Sequence, residues 1–225
     1  MDQFTAFVAH EINQPLAAVV TNGSSCLRWL AMQPPDLDKA RAAVTRAIQE
    51  AHRASDIIEK IRALLAKAAP EMKHLDMNEV IRQSLALTSS ELARGGVTVR
   101  TELAADLLTV TGDRIQLQQV LLNLILNAID AMNTIDARER ALLIRSSSGH
   151  ECVLIQVCDS GKGVDLDQVP RIFEPFVTTK VGGIGVGLPI SRSIVETHGG
   201  HLSVAPFSPH GTVFTINLPA AEKAA

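Results

Sequence analysis

Between Asp159 and Leu188 the chain reads Asp-Ser-Gly-Lys-Gly-Val, then Ile-Phe-Glu-Pro-Phe-Val-Thr-Thr-Lys, then Val-Gly-Gly-Ile-Gly-Val-Gly-Leu. This stretch constrains the fold more than any other. The residues just before it, Val153 to Val157, are apolar and β-branched and predict a strand. Those just after it, Pro189 to His198, carry a helical pattern. A strand therefore delivers one carboxylate, Asp159, a long mobile loop follows, and the glycines that close the loop lead into a helix N-terminus. Such a terminus presents N–H groups and the positive end of the helix dipole, which suits phosphate. Loops of this length without structure of their own are uncommon unless they serve a function or are disordered.

Two familiar phosphate motifs do not account for it. The string G-x-x-x-x-G-K-[ST] is absent, and Gly183, Gly185 and Gly187 follow Thr178-Thr179-Lys180 rather than a strand, as a dinucleotide fingerprint would require. Glycines by themselves are a weak signal and read better as a surface turn. The order of carboxylate, glycine pair, Phe-Glu-Pro-Phe, glycine cluster and helix is much more specific. It resembles the nucleotide lid of the ATPase fold shared by histidine kinases, gyrases, heat-shock ninety chaperones and mismatch-repair ATPases.

Composition narrows the remaining classes. The 225 residues suffice for one large or two small domains, and 46% of them are apolar, enough for a core. A net charge of −3 leaves no basic footprint for nucleic acid, and 3% aromatics leave little for base stacking. Cys26, Cys152 and Cys158 are scattered without a C-x-x-C and read as reduced cytosolic thiols. No apolar run reaches the ~18–20 residues of a membrane span, and Met1-Asp2-Gln3 does not begin a signal peptide.

In chain order, Phe4 to Met32 has helical periodicity, and Pro34-Pro35 stops it. A second helix carries two seams: Leu37, Val44, Ala51, Ile58 and Leu65 on one, and Ala40, Ala47, Ala54, Ile61 and Ala68 on the other. Together they predict a helical hairpin over residues 1–69. One hairpin has little core, and pairing two into a four-helix bundle would bury the seams, so a homodimer is expected. A monomeric hairpin folded onto the rest of the chain is the other arrangement. Residues 70–225 predict a short strand at His74 to Asp76, a helix from Asn78 to Ala93, and strands at Val97 to Glu102 and Leu107 to Thr111. An Asp113-capped helix to Met132, antiparallel strands at Leu142 to Ser147 and Val153 to Asp159, and strands at His201 to Phe207 and Thr212 to Leu218 complete the pattern. Helices and strands mix without strict alternation, which predicts an α/β sandwich with helices on one face of a mixed sheet.

Two further constellations carry chemistry. Asn123 and Asn127 are one helical turn apart on an otherwise apolar helix, where amides are costly unless partnered; a structural pair bonding a neighbouring backbone would satisfy them. His10 lies in His-Glu-Ile-Asn-Gln-Pro. Pro15 removes a helical bond and clashes with the carbonyl of Glu11, loosening the helix beside the histidine. Imidazole is a competent nucleophile near neutral pH, and Glu11 can orient or deprotonate it.

That box resembles the phosphoacceptor motif of histidine kinases, and its Asn13-Gln14 variant is similar to the rhizobial oxygen-sensor type. With the lid, the Asn123–Asn127 helix and Gly211-Thr212-Val213-Phe214, the motifs stand in the family's order over nearly the whole chain. The resemblance implies an α plus α/β architecture: half of a dimeric four-helix bundle, then an ATP-binding domain of the GHKL (Bergerat) type. It implies that His10 accepts the γ-phosphoryl group of ATP with help from Glu11, that Asn127 holds Mg2+, with Asp130 assisting through water, and that Asn123 lies beside the phosphates. Asp159 would accept the exocyclic amine of adenine and so favour ATP over GTP. Gly161 and Gly163 would let the backbone approach base and ribose, Thr212 would lie near the adenine, and Lys180 would reach a phosphate. Gly183, Gly185, Gly187 and Leu188 would form the second glycine box, where Pro189 replaces a residue that is often Ser. The phosphoryl group would pass to an aspartate on the receiver domain of a response regulator, in the cytoplasm. His10 comes so early in the chain that the sensor segment usual before such cores is expected to be missing. Two other readings use the same residues differently: an ATP-gated clamp or scaffold, disfavoured by His10-Glu11, and a non-catalytic regulator-docking module, disfavoured by the intact Asn127, Asp159 and glycines.

Overall fold

The computed structural model describes the backbone of residues 2–65, 71–133, 135, 139–165, 167, 169–178 and 185–221, and their side chains except those of 2–12, 53 and 56–65. Two compact units divide the chain, Met1–Lys67 and Ala68–Ala225.

The first unit is the expected hairpin. α1 (Asp2–Leu30) continues through Pro15, and α2 (Leu37–Leu65) follows the double proline. Asp36 starts α2: its Oδ1 accepts the Lys39 N–H at 3.0 Å, and its Oδ2 pairs with Lys39 Nζ at 2.9 Å. The Asp36 N–H donates back to the Trp29 carbonyl at 3.1 Å and closes the connection. The two seams of α2 have different fates. Ala40 and Ala54, with Ala43, are buried, and Ala40 and Ala43 pack with Cys26 and Trp29 of α1. Small residues let the two backbones approach. Leu37 and Val44 on the larger seam stay exposed; the side chains of Ile58, Ile61, Leu65 and Ala68 lie outside the described residues.

The second unit opens with β1 (Lys73–Leu75), α3 (Met77–Leu87) and α4 (Ser89–Arg94). One helix was expected where two are found. The break falls at Thr88, whose ψ is 8° and whose hydroxyl donates to the Ser84 carbonyl at 2.9 Å. Such side-chain bonds compete with helical ones. β2 (Thr98–Leu103) and β3 (Val110–Gly112) come next, but β3 does not join the main sheet; it pairs antiparallel with β1. Asp113 caps α5 (Arg114–Asn133) by accepting N–H groups from Ile115 and Gln116, and its second oxygen takes the Glu71 N–H at 2.9 Å. Burial pushes its carboxyl up, but these backbone donors outweigh that and hold it below the usual range.

β4 (Ala141–Ser148), β5 (Cys152–Asp159), α6 (Gly187–Thr197), β6 (His201–Pro206) and β7 (Thr212–Pro219) complete the unit. The sheet runs β2-β4-β5-β7-β6, parallel only between β2 and β4. Burial alternates along β4, with Leu142, Ile144 and Ser146 inside and Leu143 and Arg145 half-exposed. The inner face meets Leu117, Leu121, Leu124 and Ile125 of α5, with Val80 and Ile81 of α3, in one core. The architecture is the expected hairpin plus mixed α/β sheet.

Candidate nucleotide site

The site starts at the end of β5. Asp159 is flanked in register by Leu142 on β4 and Thr212 on β7 and is only 3% exposed. Burial pushes its carboxyl up to about 6, against the lowering effect of backbone N–H bonds from Gly161 and Thr212. Gly161 donates at 2.8 Å to Oδ1. A carboxylate offers about four acceptor positions, so two backbone donors leave room for a ligand N–H.

The chain after Asp159 is tied down at once. Ser160 Oγ accepts the Ala141 N–H at 2.9 Å and donates to the Glu139 carbonyl at 2.9 Å. Gly161 then passes so close to α5 that a Cβ would lie 2.9 Å from Ala131 Cβ and 2.7 Å from Asp159 Oδ1. Gly163 faces Gly211, whose own Cβ would collide with the Asp159 carbonyl oxygen. Backbone therefore lies directly on backbone beneath the buried carboxylate.

The described residues of the lid segment are anchored at several points. Ile172 and Phe173 pack against the core, and the Arg192 guanidinium sits 5.4 Å from the Phe173 ring centroid. The Phe176 N–H donates to the Gly185 carbonyl at 2.9 Å, which closes the neck of the loop. A Cβ on Gly185, at φ +67°, would lie 2.7 Å from the Val177 carbonyl oxygen. Lys180 and Gly183 lie outside the described residues.

After the neck, α6 begins at Gly187, with Leu188 partly buried against the core. Asn123 of α5 meets this turn. Its Nδ2 donates to Ser191 Oγ at 2.9 Å, and its Oδ1 fills the space where Gly187 would carry a Cβ. Residues 123, 127 and 131 share one face of α5. At one end of this strip Asn123 touches Gly187, and at the other Ala131 touches Gly161. Asn127 is half-buried between them, and Asp130 is exposed. The strip runs ~12 Å along the helix axis, joining the buried carboxylate to the helix N-terminus.

These residues fit a nucleotide with its metal. The carboxylate has acceptor capacity for a base, the glycines leave a cradle that side chains would fill, and Asn127 offers an amide oxygen of the kind hard Mg2+ accepts. Among the described residues no group of three His, Cys, Asp or Glu could hold a metal alone, so Mg2+ here would depend on phosphate oxygens. His10 and Glu11 lie on α1, and their side chains are outside the described residues. The three cysteines are free, and burial pushes the Cys158 thiol up to about 11. Among the described residues no helix is long and apolar enough to cross a membrane. Sequence reasoning missed Ser160, Ser191 and His198. Their partners are remote in sequence, so nothing local singles them out.

Residues 112–222 match the family described as histidine kinase-, DNA gyrase B- and HSP90-like ATPase, which is the class that the sheet and site define. Residues 1–67 match the His Kinase A (phospho-acceptor) domain. Among relatives, FixL, a sensor protein of Bradyrhizobium diazoefficiens, is 35% identical over 224 residues, covering 99% of this chain and 44% of FixL. The sensor histidine kinase TmoS of Ectopseudomonas mendocina is 34% identical over 221 residues, covering 97% of this chain and 23% of TmoS. The catalytic domain of histidine kinase ThkA is 32% identical with a TM-score of 0.60, over 67% of this chain and 96% of that domain. ThkA crystallised in complex with the response regulator protein TrrA aligns over 99% of this chain and 63% of its own, at 28% identity and a TM-score of 0.77. The chain belongs to the sensor histidine kinase family. It spans under half the length of the curated relatives named here.

Proposed function

We propose that this chain is the catalytic core of a cytoplasmic two-component kinase, which phosphorylates its own His10 from Mg2+–ATP. The observation that carries the nucleotide half is the strip on α5 bearing Asn127, with the buried Asp159 and Gly161 at one end and the α6 N-terminus at the other. Asp159 accepts the adenine amine, with Thr212 beside it, and Gly161 and Gly163 admit base and ribose. The first turn of α6, with Gly185, Gly187 and Leu188, faces the phosphates; the family resemblance assigns Lys180 and Gly183 to the same group. Asn127 holds Mg2+, which supplies charge stabilisation for the transferred group. On α1, an unprotonated ring nitrogen of His10 forms the new N–P bond as the bond from the γ-phosphorus to the β,γ-bridging oxygen breaks and ADP leaves. Glu11 takes the imidazole proton. The resulting phosphoramidate is handed to an aspartate of a response regulator, as expected for a family that includes a kinase crystallised with a response regulator.

The same reading makes residues 1–69 a dimerisation and phosphotransfer domain and 70–225 the ATP-binding domain. The exposed stripes Leu16, Val20 and Leu27 on α1 and Leu37, Val44 and Ile48 on α2 support a second hairpin as their cover. The experiment is incubation with γ-labelled ATP. The wild type acquires acid-labile, base-stable label. His10→Gln acquires none yet binds ATP nearly as well. Acid-labile label persisting in that variant would remove His10 from the mechanism.

A further inference from the structure

α6 is held against α5 at both ends by side chains that the phosphoryl chemistry does not call on. At its C-terminal end His198, 4% exposed, accepts the Asp113 N–H at Nε2 (2.9 Å), and its Nδ1 lies 2.7 Å from the Ile194 carbonyl. The two contacts together select the neutral tautomer with its proton on Nδ1. At the other end Asn123 donates to Ser191, which is 1% exposed, while the Asn123 oxygen lies against Gly187. Both ends of the Asn123 amide are thus engaged by the first turn and a half of α6. That turn has an unusual donor set. Pro189 has no N–H, and the Ile190 N–H goes to the Val186 carbonyl at 3.0 Å. The amides of Gly187 and Leu188 are what the turn can offer an anion, so its placement must be accurate.

We infer that Asn123 and Ser191 form a positioning pair for the phosphate end of the site. Their bond sets where α6 begins and hence where the Gly187 and Leu188 amides point. This rests on the nucleotide reading above and changes one part of it: Asn123 acts through α6 rather than on a phosphate, and Ser191 joins the site. A bond that only places the phosphate-facing helix affects ligands with phosphates and leaves the base pocket at Asp159 alone.

The test is titration of the chain and of Asn123→Ala, Ser191→Ala and the double variant with Mg2+–ATP and, separately, with adenosine. Each single variant is expected to lose about three- to tenfold in Mg2+–ATP affinity, the range for one uncharged hydrogen bond. Adenosine affinity stays within about twofold. The double variant binds no more weakly than the weaker single one, because both remove the same bond. If Asn123→Ala weakens Mg2+–ATP binding and Ser191→Ala does not, Asn123 contacts the phosphates itself and the inference fails. Equal losses for adenosine and Mg2+–ATP overturn it too, by showing a general loosening of the domain. A wild-type chain that binds neither ligand removes the nucleotide reading, and this inference with it, a result distinct from the other two.

Discussion

At the scale of single residues, Gly161 is wedged between the buried carboxylate and α5. A Cβ there would meet Asp159 Oδ1 at 2.7 Å and the Ala131 backbone carbon at 3.0 Å, and backbone inside a helix cannot yield cheaply. Gly161→Ala should lower stability by about 1–3 kcal/mol and adenosine affinity by at least about tenfold; thermal unfolding and adenosine titration check both. Asp159 gives a pH dependence whose sign is set by burial. Its carboxyl titrates near 6 in the fold and near 3.8 in the unfolded chain. Between those values the fold binds a proton that the unfolded chain has released. Asp159 therefore costs stability as pH rises from about 4 to 6, by about 3 kcal/mol in full, and costs nothing below that window. Asp159→Asn should gain stability relative to wild type as pH rises from about 4 to 6, as read by denaturant unfolding; a constant difference would put the carboxyl at its ordinary value. Adenosine affinity of the wild type should fall about fivefold on acidification from about pH 7 to 5, through the folded-state value, because a charge-assisted bond becomes a neutral one. In Asp159→Asn it should not change.

At the scale of elements, what was legible depended on how local the signal was. β4, β5, α5 and α6 followed from alternation, capping and glycine punctuation within their own sequence. The Asp159-to-Gly187 order was legible for the same reason. The split of α3 from α4 at Thr88 was not, because a threonine that bonds back to Ser84 looks like any helical threonine in sequence. Nor was the departure of β3 from the main sheet, since three residues carry too little pattern to choose a partner. The polar links between elements were invisible because they join residues far apart. Asn123 and Ser191 are 68 positions apart, Asp113 and His198 85. Asn78 is another such link. It is 5% exposed, donates to the Ala104 carbonyl at 2.8 Å and accepts from Ser146 Oγ at 2.7 Å, tying α3 to the end of β2 and to β4. Asn78→Ala removes the acceptor of the buried Ser146 hydroxyl and a donor to the Ala104 carbonyl, and should lower stability by about 1–3 kcal/mol. Because none of these groups touches the site, Mg2+–ATP affinity measured well below the melting temperature should match wild type. A loss of affinity without a loss of stability would contradict that separation.

At the scale of the whole molecule, the two units differ in how far each one covers its own apolar surface. Among its described residues the sheet unit closes over a core in which Leu121, Leu124, Ile125, Ile144 and Ile155 have no exposure. Among the described residues of the hairpin, Ala40, Ala43 and Cys26 pack between the helices with Trp29 against them, while Val20 is 68% exposed and Leu37 66%. The heptad in α2 made both seams legible, and side-chain size explains their fates over the described residues: Ala40 and Ala54 permit close helix approach and are buried, and Leu37 and Val44 are left facing out. A glutamate at Val20 or Val44 discriminates between a hairpin that stays alone and one that pairs. In a lone hairpin both positions face water, and exposed substitutions usually change stability by no more than about 0.5 kcal/mol. In a paired hairpin the same charge loses its hydration without gaining a partner, which is costly. Light scattering across a concentration series should therefore show dimers for the wild type and monomers for Val20→Glu with Val44→Glu, both with the same Mg2+–ATP affinity. Dimers of undiminished strength in the double variant would place the interface elsewhere. A wild type that stays monomeric at every concentration, while still labelling at a concentration-independent rate, would mean that phosphorylation runs within one chain and that water covers the stripes.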